Sequence, residues 1–415
     1  MAATVFVPRI DHPPAYAVAR ALKAGGFSVI GSASASWPTS TQIDVIRVIG
    51  DNAKQGTSIV ESARAACANI VLPVAFADIL EVSGSRSHLA ECSIAAVAPS
   101  LQSLALAADK AETARLAERY GIPVPATELC RDGIRGAIRI RRLMNLPLVI
   151  KPITGSAAEN VRLIRAWHGF EEELENAIKL SGPQLVQEYI PGGRERSINV
   201  LIGNDRTLLA SFSLRKIRYL QPSRSTVIEV IEPLPETAAA IAMALGSGWC
   251  GFISFQTKYD ERDQTNKLIE VNCRFGNNSR ILLAMFPSIA SALVASFLDQ
   301  IVELPLLTVG SIGFAPLEDA LSIGLYVYQR MLDRGMRYRE LGNPLPSTSM
   351  LLKSFRDTYS RSPTRDFYTR ALSDDFRVGV NYLWEHVLPQ ILPDTRAFIP
   401  WGEVVSYLDS SEESP

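Results

Sequence analysis

Three polar side chains occupy alternate positions of a short apolar segment, residues 267–275. They are Glu270, Asn272 and Arg274. Side chains two residues apart on a β-strand point to the same face. A second apolar run, residues 251–256, ends at Gln256. If the two runs pair as a hairpin, Gln256 lies beside Glu270, and the hairpin presents oxygen donors and a guanidinium to one cavity.

This set of groups has the chemistry of a site for a magnesium-bound polyphosphate. Mg²⁺ is a hard cation that binds few protein oxygens and retains phosphate and water ligands, and arginine binds phosphate through paired hydrogen bonds. Gln256, Glu270 and Asn272 are therefore candidate metal ligands, and Arg274 is a candidate phosphate ligand. The polar turn between the two runs, residues 260–266, is expected to be solvated and to supply no ligand.

The pattern resembles the metal-binding hairpin of ATP-grasp enzymes. A glutamine followed by Glu-Val-Asn-x-Arg is similar to the large subunit of carbamoyl phosphate synthetase and to carboxylate–amine ligases, and the likeness covers roughly residues 108–300. The resemblance implies ATP and Mg²⁺, or Mn²⁺, as cofactors. It also implies catalytic roles for Arg274 and Lys151, with Arg280 as a further candidate ligand of an acyl phosphate.

Two lysines are expected near the phosphates. Lys151 lies near the end of an apolar strand predicted at residues 146–152, and a lysine that finishes a buried strand must find an anion or lose its proton readily. The resemblance assigns Lys110 and Lys151 to the ATP phosphates. The loop that follows contains Gly155 and Ser156, and small residues let backbone N–H groups approach a polyphosphate.

The segment at residues 184–193 is predicted to be a strand that runs into a turn. The resemblance makes it the linker between two lobes and assigns the backbone of Glu188, Tyr189 and Ile190 to the adenine edge, because a peptide group offers both a donor and an acceptor. The carboxylate of Glu195 is assigned in the same way to the ribose hydroxyls.

The whole chain predicts a mixed α/β and α+β architecture. Residues 1–105 alternate short strands with helices, which favours a doubly wound parallel-sheet domain, and they lack the Gly-x-Gly-x-x-Gly fingerprint of dinucleotide-binding domains after the first strand. Residues 106–305 are assigned to a two-lobed ATP-grasp domain with a small lid lobe at about 120–190. Residues 306–415 are expected to form a mostly helical C-terminal extension.

Three segments carry more local predictions. Residues 107–121 are patterned as one helix that ends at Gly121. Residues 215–218 are predicted to be a basic turn, which is either solvated or an anion site for an acyl substrate. Residues 281–298 contain no charged residue and approach the length of a membrane span, but Pro287 and three serines favour a buried helix.

The composition indicates a globular protein of two or three domains. With 415 residues and a net charge of −1, the chain gives no reason to expect nucleic acid or a membrane as a partner. Five scattered cysteines without a Cys-x-x-Cys pair favour a reducing compartment, and the N-terminus lacks the pattern of a secretory signal. We therefore expect a cytoplasmic protein that acts on small molecules. The resemblance leaves a homodimer open.

The candidate residues suit phosphoryl transfer by positioning and charge stabilisation. The resemblance implies that a carboxylate attacks the γ-phosphate of ATP and that an amine then displaces phosphate, so that a small acid and an amine are joined with release of ADP and phosphate. Two alternatives stay open: a carboxy-phosphate or carbamoyl-phosphate synthetase of the same fold, and a nucleotide-binding regulatory protein without turnover.

Overall fold

A computed structural model describes the chain in eight stretches: residues 2–34, 44–48, 58–155, 160–191, 195–221, 224–300, 304 and 307–315. Two predictions lie outside these residues: the phosphate-loop residue Ser156 and the helical extension beyond residue 315.

The N-terminal region forms a five-stranded parallel sheet in the order β3-β2-β1-β4-β5. Its strands are β1 (Thr4–Val7), β2 (Ser28–Ser34), β3 (Asp44–Val48), β4 (Ile70–Val71) and β5 (Ala95–Ala96). Its helices are α1 (Pro13–Ala24), α2 (Ile59–Ala65), α3 (Phe76–Gly84) and α4 (Arg86–Glu91). The strand order reverses between β1 and β4, and such a reversal opens a crevice at the carboxyl ends of the two strands.

Two consecutive helices replace the single helix predicted at residues 107–121. They are α5 (Leu101–Ala108) and α6 (Lys110–Arg119). Asp109 separates them in an extended conformation, and its carboxylate accepts hydrogen bonds from the amides of Ala111 and Glu112 at 2.8 and 3.1 Å. The single-helix prediction was wrong because Asp109 caps a new helix, and Lys110 consequently becomes the first residue of α6.

The lid lobe is a four-stranded antiparallel sheet in the order β6-β9-β7-β8. It consists of β6 (Thr127–Cys130), α7 (Gly133–Leu143), β7 (Leu148–Pro152), β8 (Arg162–Ile164), α8 (Phe170–Ser181) and β9 (Gln184–Glu188). The two helices supply Ile140 and Leu174 to a core that includes Ile150 and Val186 of the sheet. The helices thereby cover one face of the sheet, and Lys151 near the end of β7 lies outside this apolar core.

The central sheet has six antiparallel strands in the order β14-β13-β10-β11-β12-β15. They are β10 (Glu195–Ile202), β11 (Leu208–Gln221), β12 (Arg224–Ile231), β13 (Gly251–Asp260), β14 (Thr265–Asn272) and β15 (Ile312–Phe314). The associated helices are α9 (Thr237–Gly246), α10 (Asn277–Met285) and α11 (Ser288–Phe297). Because β15 belongs to this sheet, the sheet extends past the boundary predicted at residue 305.

The two faces of the central sheet differ in polarity. One face carries Val200, Ile253 and Phe255, which form a core with α9. The opposite face is apolar at one end, where Phe212 and Leu214 share a core with the N-terminal domain. The other end of that face carries the polar residues of the candidate site.

The uncharged run at residues 281–298 forms two helices, α10 and α11, instead of the single helix predicted. Proline removes an amide donor and disfavours helical geometry in the residue before it, and Phe286, which precedes Pro287, has φ −136° and ψ 71°. Within the described residues, no individual helix has the length and apolar character of a membrane span, and α10 and α11 meet those criteria only as a pair bent by 99°.

The basic residues at positions 215–218 lie inside β11, so the predicted turn was wrong. Arg215 pairs with Glu229 of β12, and Lys216, which is 3% exposed, pairs with Glu195 of β10. Cross-strand carboxylates allow these cations to occupy a strand, and this compensation could not be read from the segment itself.

Candidate active site

The β13–β14 hairpin assembles the candidate metal ligands. Gln256 lies directly opposite Glu270, and Ser254 lies opposite Asn272. The Asn272 Nδ2 atom donates a hydrogen bond to Glu270 Oε1 at 2.9 Å. A β-bulge follows Gln256, and bulges re-aim side chains locally. The fold thus brings the three predicted oxygen ligands together at one end of the hairpin.

Arg274 lies at the same site, but it is not part of strand β14 as predicted. Strand β14 ends at Asn272, so Arg274 follows the strand and does not share its alternation. It nevertheless lines the same cleft as Glu270. Burial lowers the pKa of Arg274, and Glu270 acts in the opposite direction. Arg280, by contrast, lies on α10, where its Nε donates to the Asn277 carbonyl at 3.3 Å, and it is not among the described residues that line the cleft.

Lys151 is a buried cation near the end of β7. It is 5% exposed, and its Nζ donates to the carbonyl of Ile269 at 2.9 Å. Burial lowers the pKa of Lys151 to about 8, while the neighbouring Glu270 raises it and Lys110 lowers it further. A single neutral carbonyl does not compensate a buried ammonium, so this position favours an additional anion.

Lys110 approaches the same place from the first turn of α6. Its Nζ donates to the carbonyl of Gly155 at 2.8 Å, and its amide donates to the carbonyl of Ile153 at 2.9 Å. Burial lowers the pKa of Lys110; Glu270 and Asp109 raise it, and Arg274 lowers it. The start of α6 is thereby joined to the loop that follows Lys151.

Glu270 is the carboxylate that Lys110, Lys151 and Arg274 have in common. The charge of Glu270 favours the protonated form of each of these three cations. Burial disfavours the protonated form in all three. Three cations around one shared carboxylate leave an excess of positive charge, and such a site attracts a multiply charged anion.

The three residues of the predicted linker, Glu188, Tyr189 and Ile190, all line the cleft. The Glu188 side chain is directed into structural contacts: Oε1 accepts from Lys267 Nζ at 2.9 Å and from the Ala126 amide at 3.1 Å. Burial acts to raise the pKa of Glu188, but the hydrogen bonds from Lys267 and Ala126 hold it below its ordinary value. This carboxylate therefore connects the lid lobe to the hairpin.

Glu195 also lines the cleft, but its carboxylate pairs with the buried Lys216. The neighbouring position on β13 is Lys258, whose Nζ lies 4.9 Å from the centroid of the Tyr189 ring. Glu195 is thus placed beside the linker, with part of its hydrogen-bonding capacity already used.

Several residues of the cleft were missed by the sequence analysis. Asn199 and Ser254 line it from β10 and β13, and Asn278 lines it from the first turn of α10. The Oδ1 atom of Asn278 is buried and accepts no hydrogen bond from the described residues. Polar residues at alternate positions of otherwise apolar strands were the available signal for Asn199 and Ser254. The position of Asn278 depends on how α10 packs.

The turn at residues 260–266 differs from the solvated turn predicted. The Asp260 side chain is fully buried and pairs with Arg262 at 2.5 Å and Lys267 at 2.8 Å. The hydrogen bonds from Arg262 lower the pKa of Asp260 far below its ordinary range, although burial alone would raise it. The prediction that this turn supplies no metal ligand is unaffected, because Asp260 is occupied by two cations.

The candidate metal ligands, Lys110, Lys151, Arg274 and the linker border one cleft of about 490 Å³. The lid lobe contributes Lys151 and the linker, the central sheet contributes the hairpin, and the N-terminal domain contributes His12 and Phe76. Among the described residues, no group of three or more His, Cys, Asp or Glu side chains could hold a metal ion. A cation here therefore depends on Glu270, on amide oxygens and on oxygens of a bound ligand.

Residues 107–241 match the family model of an ATP-grasp domain. The matched segment runs from α5 through the lid lobe and into α9, so it includes Lys110, Lys151 and the linker. The resemblance to ATP-grasp enzymes is therefore confirmed for this segment, which ends before the β13–β14 hairpin.

Two curated relatives illustrate the kind of enzyme that shares this domain. Cyanophycin synthetase of Nostoc sp. is 30% identical over 132 residues, which are 31% of this chain and 14% of that protein. D-alanine–D-alanine ligase A of Bradyrhizobium diazoefficiens is 28% identical over 151 residues, which are 35% of this chain and 40% of that ligase. The match thus spans less than half the length of either relative.

The fold is also similar to a solved biotin carboxylase domain. This is the domain of 2-oxoglutarate carboxylase from Hydrogenobacter thermophilus, solved with MgADP, ADP and bicarbonate. The TM-score is 0.62 at 18% identity, and the likeness covers 74% of this chain and 73% of that domain. At this identity the likeness concerns the fold, and it extends well beyond the segment matched by the family model.

Proposed function

We propose that this protein is an ATP-dependent, ADP-forming ligase that joins a carboxylate to an amine. The observation that carries the proposal is that Lys110, Lys151 and Arg274 line one cleft together with Glu270, with the amides of Gln256 and Asn272 beside that carboxylate. The relatives named above, a ligase and a synthetase, support the same class of reaction.

The residues present fit a magnesium-bound triphosphate. Gln256, Glu270 and Asn272 supply oxygens of the kind that Mg²⁺ binds, with room left for phosphate oxygens. When bound, Mg²⁺ would neutralise part of the phosphate charge and orient the polyphosphate. The excess positive charge around Glu270 has the sign that such an anion requires. Lys110 and Lys151 would hold the phosphates, and the linker backbone would receive the adenine edge.

The proposed reaction has two steps, and Arg274 would assist the first of them. One oxygen of the substrate carboxylate attacks the γ-phosphorus of ATP, the bond from that phosphorus to the bridging oxygen breaks, and ADP leaves. Arg274 would stabilise the charge that develops on the transferred phosphoryl group. The amine nitrogen then attacks the acyl carbon, phosphate leaves, and the nitrogen loses a proton.

The amine has a candidate ligand in Asn278. Asn278 lines the cleft, and its buried Oδ1 accepts no hydrogen bond from the described residues. A buried acceptor without a donor costs free energy, and an N–H group of the incoming amine would satisfy it. This assignment would place the nucleophile beside the first turn of α10.

The route is tested by following an oxygen isotope. The protein is incubated with Mg-ATP, an amine mixture and carboxylic acids labelled with ¹⁸O in the carboxylate, and the phosphate released is analysed by mass spectrometry. An acyl-phosphate route transfers one ¹⁸O to phosphate and yields ADP. Release of AMP and pyrophosphate would contradict it. ADP release that requires bicarbonate alone would favour a carboxy-phosphate synthetase, and ATP binding without turnover would favour a regulatory protein.

A further inference from the structure

The chemistry of the cleft changes along strand β13. Lys258, Gln256, Ser254 and Phe252 alternate along the strand and all line the cleft. Lys258 lies against the ring of Tyr189 in the linker, and Gln256 marks the candidate metal site. Phe252 lies four residues further back, about 13 Å along the strand. The cleft therefore runs from the linker, past the cations, to an aromatic residue.

An apolar wall begins immediately behind Arg274. The next residue, Phe275, stacks on Phe252 with ring centroids 4.6 Å apart and an interplanar angle of 20°. Both rings line the cleft, together with Leu214 and Leu282. A ligand whose carboxylate lies at Arg274 would thus direct the rest of its structure toward aromatic and aliphatic side chains.

The N-terminal domain also contributes apolar residues to the lining of the cleft. Val74 and Phe76 come from the segment after β4, and Pro14 comes from the start of α1, after β1. These segments leave the carboxyl ends of the two strands at which the sheet order reverses, which is where open α/β sheets bind ligands. The side chain of Phe76 is 40% exposed, so an apolar ligand could bury more of it, which is favourable.

Charge is distributed unevenly between the two ends of the cleft. Among the described lining residues, acidic side chains and lysines come from the lid lobe, the start of α6 and the central sheet, and the only titratable side chain from the N-terminal domain is the exposed His12. A charged substituent at the apolar end would lose its hydration without a strong counter-charge. The cleft therefore disfavours acids with charged side chains.

We infer that the acid activated at this site carries a bulky apolar side chain, of phenyl or isobutyl size, which lies between Phe76 and the Phe252–Phe275 stack. The inference rests on the proposed function and narrows its substrate class. It makes Phe76 a specificity-determining residue.

The test uses hydroxylamine as the amine, because it converts any acyl phosphate to a hydroxamate and so isolates the choice of acid. Phenylalanine, leucine, glycine, aspartate and lysine are each supplied with Mg-ATP, and hydroxamate formation is measured. We expect kcat/KM for phenylalanine or leucine to exceed that for each of the other three acids by at least tenfold. Preference for aspartate, lysine or glycine would overturn the inference while leaving the ligase function in place.

Two substitutions in helix α3 test whether Phe76 contacts the bound acid. Phe76→Ala should raise KM for the preferred acid by tenfold or more with little change in kcat. Leu80→Ala is the matched control, because Leu80 is 48% exposed on the same helix and does not line the cleft; it should leave KM unchanged. Equal KM values in wild type and Phe76→Ala would overturn the inference.

The outcome stays informative if no acid supports turnover. In that case the ligase proposal fails, and the pocket is tested by equilibrium dialysis of labelled phenylalanine in the presence of Mg-ADP. Saturable binding that weakens at least tenfold in Phe76→Ala, and not in Leu80→Ala, would support the apolar pocket. Failure to bind phenylalanine would overturn it.

Discussion

Gln256 and Glu270 lie directly opposite each other on the paired strands β13 and β14. Opposed residues on one face of an antiparallel pair have Cβ atoms about 5 Å apart, so the amide and the carboxylate can reach one cation. Asn272 joins them through its hydrogen bond to Glu270. The candidate metal site is therefore a property of one hairpin, while the cations around it come from three other places in the chain.

The substitution Glu270→Gln should weaken the binding of Mg-ATP without weakening the binding of metal-free ATP. It removes a metal ligand, so the affinity for Mg-ATP should fall by about ten- to a hundredfold. It also removes the carboxylate shared by three cations, so metal-free ATP should bind as well as before or better. Calorimetric titration with and without Mg²⁺ measures both effects. Glu175→Gln on α8 is the control, and equal losses under both conditions would contradict the assignment.

Lys151→Met should weaken nucleotide binding without destabilising the fold. A buried ammonium is costly, and burial already lowers its pKa to about 8, so an apolar side chain of similar length should keep or raise the melting temperature. The affinity for Mg-ATP should fall at least tenfold, since charge-assisted contacts contribute about 1.5–3 kcal/mol. Thermal unfolding with and without Mg-ATP measures both quantities, and the exposed Lys179→Met is the control. A variant that Mg-ATP still stabilises fully would show that the nucleotide binds elsewhere.

Asp78 should make the stability of the N-terminal domain fall as the pH rises. Burial raises the pKa of Asp78 from 3.8 to about 6, opposed by Arg9 and assisted by Glu81 and Asp11. The folded state then holds the proton more tightly than the unfolded state, so its contribution is favourable below the unfolded pKa and is lost as the pH rises through the folded pKa. The total decrease should be about 3 kcal/mol, and most of it should occur between about pH 4 and pH 6.

Hydrogen exchange of β1 and α3 amides across this pH range would measure the effect. Asp78→Asn should remove the pH dependence, and Glu91→Gln, an exposed residue of α4, should retain it. An Asp78→Asn variant with the same pH profile as the wild type would contradict the prediction.

Glu188→Gln should loosen the connection between the lid lobe and the hairpin. Its carboxylate accepts from Lys267 and the Ala126 amide, and it pairs with Arg262 at 3.0 Å. Exchange protection of β9 and β14 should fall by about tenfold, since one charge-assisted hydrogen bond contributes about 1.5–3 kcal/mol. The affinity for ATP should change far less than in Lys151→Met, because the linker would bind adenine through its backbone.

Hydrogen–deuterium exchange followed by mass spectrometry, together with ATP titration, would measure these two responses. Glu171→Gln, whose carboxylate pairs with Arg141 inside the lid lobe, is the control. Loss of ATP binding with unchanged exchange would mean that the Glu188 carboxylate itself contacts the nucleotide.

Local patterns were sufficient to predict the hairpin and the buried lysine. The alternation of Glu270 and Asn272 fixes their common face in any strand that contains them, and the apolar run before Lys151 predicts a buried strand. The grouping of these residues in one cleft agrees with the prediction, whereas their roles as ligands stay predictions. The alternation failed at Arg274, because the strand ends two residues earlier and packing of the following segment returns the side chain to the cleft.

Other errors arose where charges were judged without their partners. Residues 215–218 and Asp260 looked like exposed polar segments because a charged group left alone prefers water. In the folded chain, Glu229 and Glu195 pair with Arg215 and Lys216, and Arg262 and Lys267 pair with Asp260. Three of these four partners come from neighbouring strands, so burial was set by pairing across the sheet.

The sequence by itself determined the resemblance to ATP-grasp domains and the common face of Glu270 and Asn272, because the alternation of side chains along a strand is a local property of the chain. The tertiary structure decided that Arg274 shares the cleft, that Arg280 is not among the described residues that line it, and that the N-terminal domain contributes Phe76 to its lining. These outcomes depend on how separate elements pack and which charges they bring together, and interactions between distant segments are not encoded in the spacing of neighbouring residues.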